Sequence, residues 1–357
     1  MLFLAVAAAG LVPMVSDHVS RSLLTLDSED SLGYAARLMK HARITGAPVY
    51  DDNSIDGILS RNDLLRTIAT ETSDAAHGLD EQLDDIRLRE VWRVMTSRPQ
   101  TVSPDASMVE AANIMAETKL NRLMVKAKYG AVLGILTSTD VVFAMLGCGG
   151  PEGCIVGAGA GGEEEPEPID WSRHFYEHEE VEVPRGSVGE SMARRLVVVS
   201  PDMCLEDAAR VLKEGRVTGA PVMDGEKLVG VLSRNSLLKA LATLPDDAAA
   251  FVPAVEAMRH QPVSTVMNDQ PKTISPSTSM VEAAKIMAAE KLNRLLVTSG
   301  PGRLCGIASS TDAVFVLLGA CAEGDDECVH DFEDDFDMDE VWQERLGGPL
   351  GHMGTMY

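Results

Sequence analysis

The sequence predicts an α/β fold made of four copies of one β-α-β-β-α unit, grouped as two double units. Three observations carry that prediction. Residues 43–65, "RITGAPVYDDNSIDGILSRNDLL", recur at 216–238 as "RVTGAPVMDGEKLVGVLSRNSLL", identical at 14 of 23 positions without a gap. Residues 103–125, "SPDASMVEAANIMAETKLNRLMV", recur at 275–297 as "SPSTSMVEAAKIMAAEKLNRLLV", identical at 17 of 23. Each of the four segments contains or leads into a related heptad, GILSRND, GILTSTD, GVLSRNS or GIASSTD, whose last residues fall at 63, 140, 236 and 312. The intervals are 77, 96 and 76 residues, and the middle excess lies in "GCGGPEGCIVGAGAGGEEEPEPID", a linker by its Gly, Pro and Glu content. The chain thus divides into an apolar arm (1–13), a first double unit (14–146, repeats at about 14–70 and 90–146), a Gly-rich and acidic linker (147–186), a second double unit (187–319, repeats at about 187–243 and 262–319) and an acidic tail (320–357).

Within a unit the elements follow from local pattern. "QTVSP" reads as a short strand entering a turn. "SMVEAANIMAETK" places Met108, Ala111, Ala112 and Met115 at the i, i+3, i+4, i+7 spacing of one helical face. Ser107 with Glu110, and Ser279 with Glu282, have the S-x-x-E spacing of a capping box. "NRLMVK" and "AVLGILT" are strands flanking a Gly turn, and a second helix begins at Thr137. A unit of about 55 residues buries too little surface to stand alone, so two are expected to pack face to face and share a sheet.

Hydrophobic residues at 45% and charged residues at 24% describe an ordinary globular chain, with a core that is aliphatic and Met-filled because aromatics are only 4%. The net charge of −24 is localised: residues 163–182 hold nine acids and one arginine, and residues 323–340 hold eleven acids and no lysine or arginine. Charges on such segments are screened beyond about 8 Å, so the repeats can still bind phosphate. Duplex nucleic acid is not expected as a partner because no long basic stripe exists to release counterions. The opening "MLFLAVAAAGLV" is too short to span a bilayer and lacks the basic residues of a secretory leader. It is expected to be a frayed or packed arm, with a cleaved leader as the alternative, and no membrane span is expected anywhere.

The heptad admits two uses. Ser60 at the N-cap and Asp63 three residues on would cap the following helix and complement its dipole. The same geometry offers free N–H groups and a hydroxyl to a phosphate, and a carboxylate to the two hydroxyls of a ribose. Nothing in it demands catalysis.

Four copies pairing "R-[IV]-T-G-A-P-V" or "K-L-N-R-L-x-V" with a following "G-h-x-[ST]-x-x-D" resemble CBS domains, which assemble in pairs known as Bateman modules. The resemblance implies four CBS units forming two pseudo-symmetric modules, with adenine nucleotides held in the clefts. It implies that the "TGAPV" strand lines the adenine, that the Ser or Thr meets phosphate or ribose, and that the Asp takes the ribose hydroxyls. The residues so implied are Thr45, Gly46, Ala47, Pro48, Ser60 and Asp63 in repeat 1, Arg122, Thr137, Thr139 and Asp140 in repeat 2, and Arg294, Ser309, Thr311 and Asp312 in repeat 4. The "NRL" strands are similar to the "HRL" strand of the gamma subunits of AMP-activated kinase, with Asn121 and Asn293 in place of His. Repeat 3 carries Ser236 where the others carry Asp. It should keep its helix cap at Ser233 and lose its ligand, since hydrogen bonds to a charged group contribute about 1.5–3 kcal/mol.

The remaining signals are weaker. Cys148 and Cys154 follow repeat 2, and Cys321 and Cys328 follow repeat 4, as reduced pairs or a redox switch. Cys204 and Cys305 fall within repeats and are expected to be buried. His174 and His178 lack the context of a zinc site, "GAGAGG" at 157–162 leads into acids rather than a helix, and the acidic tail lacks the central glycine of an EF-hand. No metal, no cofactor and no catalytic residues are expected, so the chain is not expected to be an enzyme. The leading expectation is a stand-alone regulatory protein that binds AMP, ADP or ATP, with S-adenosylmethionine as a further candidate, and modulates an unidentified protein partner. The alternatives are a ligand-independent scaffold that homodimerises through paired units, and a thioredoxin-linked regulator resembling plant stand-alone CBS-pair proteins. The expected setting is soluble and intracellular, in cytoplasm or plastid.

Overall fold

The computed structural model of the chain describes residues 12–21, 23–51, 54–73, 78–146, 169–176, 183–300 and 303–319. They fall into two compact units, one drawing on the stretch up to Arg21 and on Pro99–Asp312, the other on Ser22–Arg98 and the chain from Ala313 onward. Cys148, Cys154, Cys321, Cys328, His178, the 157–162 glycines and the acidic tail lie outside the described residues.

Each repeat is a short strand, a helix, a hairpin and a second helix. Repeat 1 is β1 (Leu26–Asp27), α1 (Leu32–His41), β2 (Gly46–Asp51), β3 (Ser54–Ser60) and α2 (Arg61–Glu71), followed by α3 (Leu79–Arg87) and β4 (Thr96–Ser97). Repeat 2 is β5 (Thr101–Val102), α4 (Met108–Thr118), β6 (Arg122–Lys126), β7 (Val132–Thr137) and α5 (Ser138–Met145). After β8 (Phe175–Tyr176) and α6 (Val188–Ser191), repeat 3 is β9 (Leu196–Val197), α7 (Leu205–Glu214), β10 (Gly219–Asp224), β11 (Lys227–Ser233) and α8 (Arg234–Leu241). Following α9 (Ala248–Arg259), repeat 4 is β12 (Thr273–Ile274), α10 (Met280–Glu290), β13 (Arg294–Thr298), β14 (Leu304–Ser309) and α11 (Ser310–Leu318).

The predicted helical face is the core face: Met108, Ala111, Ala112 and Met115 are all fully buried. Ser107 and Ser279 accept the N–H groups of Glu110 and Glu282 at 3.0 and 3.1 Å, which starts α4 and α10 where the sequence places them. The first helix of every repeat ends at a basic residue in the left-handed conformation, Arg43, Lys119, Arg216 or Lys291, with φ between 52° and 57°. That backbone turns the chain into the hairpin, and a cation at a helix C-terminus is favoured by the dipole. The short strand then pairs in parallel with the first hairpin strand, Leu26 with Val49, Thr101 with Met124 and Thr273 with Leu296, while repeat 3 keeps one parallel bridge, Val199 with Val222.

The repeats of a pair exchange segments rather than share one sheet. The chain before repeat 1 bonds to repeat 2, through Val15 N to Ala106 O at 3.0 Å and the bridge between Ser20 and Ile135. The chain before repeat 2 bonds to repeat 1, through β4 paired with β3 and the bridge between Ser31 and Glu90. Repeats 3 and 4 do the same, with bridges from Ser187 to Ser279 and Ala193 to Ile307 in one direction and from Cys204 to Pro262 and Val231 to Asn268 in the other. The heptad glycine is where this crossing strand passes. A Cβ at Gly134 would lie 2.2 Å from Ser20 O, at Gly57 2.9 Å from Thr96 O, and at Gly230 2.8 Å from Asn268 O. No Cβ fits at these three positions, which gives the heptad glycine of repeats 1, 2 and 3 a packing cause, while at Gly306 the backbone carbonyl of Ala193 is farther, at 3.1 Å.

In the first unit, α4 and α5 of repeat 2 pack against α8 of repeat 3, and one apolar cluster runs through both repeats, from Met108 and Leu136 to Leu205 and Leu237. The sheets of repeats 3 and 4 meet through Leu196, Val198, Met223, Leu296 and Leu304. In the second unit, the end of α11 lies on repeat 1, where Leu317 O accepts the Arg87 guanidinium at 2.9 Å and Lys40 sits over the Phe315 ring. Cys305 is buried as expected, but Cys204 is only partly buried because it serves as the N-cap of α7, its sulfur accepting from Asp207 N. Among the described residues no helix is long and apolar enough to cross a membrane, and no group of His, Cys, Asp and Glu is placed to hold a metal. His174 instead has Nδ1 3.2 Å from Val198 O.

Candidate functional site

The heptads deliver the same local construction in repeats 1, 2 and 4. Ser60, Thr137 and Ser309 end a hairpin strand opposite Gly46, Arg122 and Arg294 respectively, and all three precede a helix. The N–H groups of Ser60, Thr137 and Ser309 donate to one carboxylate oxygen of Asp63, Asp140 and Asp312 at 2.9, 2.7 and 2.8 Å. Their hydroxyls donate to that same oxygen at 2.5, 2.7 and 2.7 Å. Oδ2 of each Asp is therefore committed to the cap, and what the site can do depends on Oδ1.

The three sites differ there. Asp63 is 5% exposed, and its Oδ1 already accepts from the Arg66 guanidinium at 2.9 Å and from the Thr96 hydroxyl at 3.3 Å. A sugar hydroxyl would have to displace Arg66, whose side chain is 64% exposed and free to swing. At Asp140 and Asp312 Oδ1 has no hydrogen-bond partner among the described residues. Burial raises the pKa of Asp140, against the capping bonds from Thr137 and the nearby charges of His18 and Arg234. Repeat 3 keeps only the cap: Ser236 N donates to Ser233 Oγ at 3.1 Å and the two hydroxyls are 2.9 Å apart.

The clefts are built jointly by neighbouring repeats. Arg294, opposite Ser309 in repeat 4, donates to the Thr218 hydroxyl of repeat 3, and its guanidinium lies where a side chain at Gly219 would go. The repeat 3 counterpart of the "TGAPV" strand is thus covered by repeat 4's own arginine. On the other side of repeat 3, Arg234 donates to the Thr139 hydroxyl of repeat 2 and faces Asp140. Desolvation lowers the Arg234 pKa to about 10, opposed by the Asp140 charge. Of the residues expected from sequence, Thr137, Thr139 and Asp140 gather at one end of α5. Arg294, Ser309 and Asp312 gather at the start of α11, where Thr311 also sits. In repeat 1, Ala47 and Pro48 are buried in β2 and Thr45 O accepts from Arg61 N at 3.1 Å.

Sequence inspection missed Arg234, His18, Thr218, Arg66 and Thr96. The first could have been noticed as the arginine that repeats 1 and 3 share inside the heptad. Arg66 follows Asp63 at i,i+3 on the same helix, a spacing that permits an ion pair, whereas His18, Thr218 and Thr96 carry no signal, because each acts from a different repeat or from the exchanged segment.

A model of the CBS domain matches residues 15–70, 88–147, 186–243 and 263–319, well over half of the chain. The chain belongs to the CBS-domain family. Its four CBS repeats form two Bateman modules in an α/β fold. A CBS domain-containing protein of Dictyostelium discoideum is 29% identical over 134 residues, 37% of this chain and 91% of that protein. The chloroplastic CBS domain-containing protein CBSX1 of Arabidopsis thaliana is 30% identical over 159 residues, 39% of this chain and 67% of that one. A crystal structure of CBSX2 in complex with AMP is 31% identical, covering 38% of this chain and 96% of that one with a TM-score of 0.31. CBSX2 is likewise a chloroplastic protein of Arabidopsis thaliana.

Proposed function

We propose that this CBS protein is a stand-alone regulator that binds adenine nucleotides in its paired clefts and signals occupancy to a protein partner. One observation supports the reading above the others: in repeats 2 and 4 the Asp three residues into the helix commits one oxygen to capping and leaves the other open. A carboxylate needed only as a cap would be served by the Ser236 arrangement, which caps α8 without a charge. The similar protein CBSX2 was crystallised with AMP, which makes AMP the first ligand to test. In this reading Asp140 and Asp312 accept ribose hydroxyls, Thr137, Thr139, Ser309 and Thr311 offer donors at the helix N-termini, and Arg122 and Arg294 meet phosphate. Repeat 1 binds more weakly because Arg66 must leave Asp63, and repeat 3 stays unused. Signalling requires that nucleotide bind one arrangement of the modules more tightly than another.

Thermal denaturation with AMP, ADP, ATP and S-adenosylmethionine tests the proposal. A ligand at about 100 times its dissociation constant stabilises by about 2.7 kcal/mol. A melting temperature indifferent to all four compounds at millimolar concentration would end it.

A further inference from the structure

The helices that follow repeats 1 and 3, α3 and α9, end in the same device. In α3, Arg87 is held by Asp84 three residues before it at 2.6 Å, and its Nε and Nη2 donate to Leu317 O near the end of α11 at 3.2 and 2.9 Å. In α9, Arg259 is held by Glu256 three residues before it at 3.2 Å, and its Nη2 reaches the carbonyl of Met145, the last residue of α5, at 3.5 Å. Each arginine caps a carbonyl that a helix C-terminus leaves without an intrahelical partner. The seating is alike in both copies, with Lys40 over the Phe315 ring and Lys213 over the Phe143 ring. Yet one clasp is a two-pronged fork and the other a single contact at the limit of a hydrogen bond.

The residue that faces each clasp accounts for the difference. The second residue of α1 is Gly33, where an added Cβ would lie 3.4 Å from both Arg87 O and Leu318 O. The second residue of α7 is Glu206, and Arg259 is the nearest opposing charge to its carboxyl. An ionised carboxylate holds a guanidinium more strongly than a neutral carbonyl does, so Glu206 competes with Met145 O for Arg259. Glu206 is poorly placed to stay ionised. Its Oε1 is buried without a hydrogen-bond partner among the described residues, as is Nε of Arg259. Cys204 and Asp207 face it from α7, where Arg210 one turn on pairs with Glu214 at 3.8 Å. Glu256, Arg259 and His260 face it from α9 and its end, and α5 brings no charge, since its last turn reads VVFAML. Burial raises the Glu206 pKa above its ordinary 4.5, opposed by Arg259 and His260 and aided by Glu256 and Asp207. The proton is held below about pH 4.5 and lost as pH rises through the higher folded value.

We infer that Glu206 gates the Arg259 clasp: protonated, it leaves the guanidinium to cap α5, and ionised, it draws the guanidinium from Met145 O and releases the last turn of α5 where repeat 2 meets repeat 3. The Arg87 clasp has no such gate, because Gly33 offers no carboxyl. One joint therefore responds to pH and the other does not. The buried side chains of Val141, Val142, Met145 and Leu146 keep α5 seated in either state, so the gate frays a helix end and does not part the repeats. Neither clasp contains a residue assigned to nucleotide.

The test is hydrogen exchange of the full chain between about pH 4.5 and about pH 8, read by mass spectrometry as protection corrected for the intrinsic pH dependence of exchange. In wild type, residues 142–146 lose about threefold to tenfold of their protection as pH rises, the loss expected for one hydrogen bond, while residues 314–319 keep theirs. Glu206→Gln cannot ionise and holds the end of α5 at its low-pH protection throughout. Glu206→Gly, which copies the Gly33 arrangement, does the same and guards against a folding defect in the first variant. Arg259→Met gives the released value at every pH. His260→Gln retains the wild-type profile, which assigns the titration to Glu206 and not to the neighbouring histidine. A wild-type profile that is flat at residues 142–146, one that survives both Glu206 variants, or one abolished by His260→Gln overturns the gate.

Discussion

Replacing Asp312 by Asn separates capping from ligand binding, because the two duties rest on different oxygens. Oδ2 accepts the Ser309 N–H at 2.8 Å and its hydroxyl at 2.7 Å. Asn retains one oxygen for the N–H, and the hydroxyl can turn. What it loses is the charge at the start of α11, about 0.3–1 kcal/mol of dipole interaction, for a total near 1 kcal/mol with the weakened cap. In a unit of this size that lowers the melting temperature by about 2–4 °C. The open Oδ1 carries the other duty. If it receives a ribose hydroxyl, exchanging a charged for a neutral acceptor removes about 1.5–3 kcal/mol, a tenfold to hundredfold loss of AMP affinity at that site. Isothermal titration and thermal denaturation on the same preparation measure both. A variant that melts a few degrees lower yet binds AMP within about twofold of wild type would show that the carboxylate is a cap and nothing more.

Ser236→Asp should complete the reciprocal cap at α8 and stabilise the protein by about 0.5–1 kcal/mol, measured by urea denaturation. It should add no nucleotide to the calorimetric stoichiometry, because Arg294 lies over Gly219. Gly134→Ala should destabilise by more than about 2 kcal/mol, since its Cβ meets the Ser20 carbonyl at 2.2 Å, whereas at Gly306 the nearest obstacle is the flexible Met192 thioether at 2.4 Å. Comparing the two alanine variants by urea denaturation tests the segment exchange directly. Burial holds the His18 pKa below its ordinary 6.5, against Asp17 and Asp140. The stability this represents is present above pH 6.5 and declines as pH falls through the lower folded value. Wild type should therefore lose more stability than His18→Gln between about pH 7.5 and pH 5. Asp140 acts in the opposite sense at lower pH, since its raised pKa favours the fold below about 3.8 and that contribution disappears as pH rises.

Much of the fold was legible because repetition is a one-dimensional signal. The heptads locate the hairpin ends and the second helices, the Met108 to Met115 spacing locates the buried face of α4, and Ser236 marks repeat 3 as different. The candidate site was legible only in its local half. Thr137 with Asp140 and Ser309 with Asp312 lie three residues apart, so the turn that joins them is dictated by the chain. Arg66 and Thr96 on Asp63, and Arg234 on Thr139, join residues 3, 33 and 95 positions apart. Even the short one was invisible as a constraint on ligand access.

The amino-acid order alone determined the repeat, the α/β class, the N-caps and the loss of the carboxylate in repeat 3, since these depend on periodicity and on groups within one helical turn. Only the tertiary structure decided that paired repeats trade their leading segments, that the heptad glycine makes room for that crossing strand, and that an arginine of repeat 3 serves repeat 2. Those outcomes follow from close approach between distant segments, and distances of that kind are set by how whole faces pack rather than by any neighbouring residue.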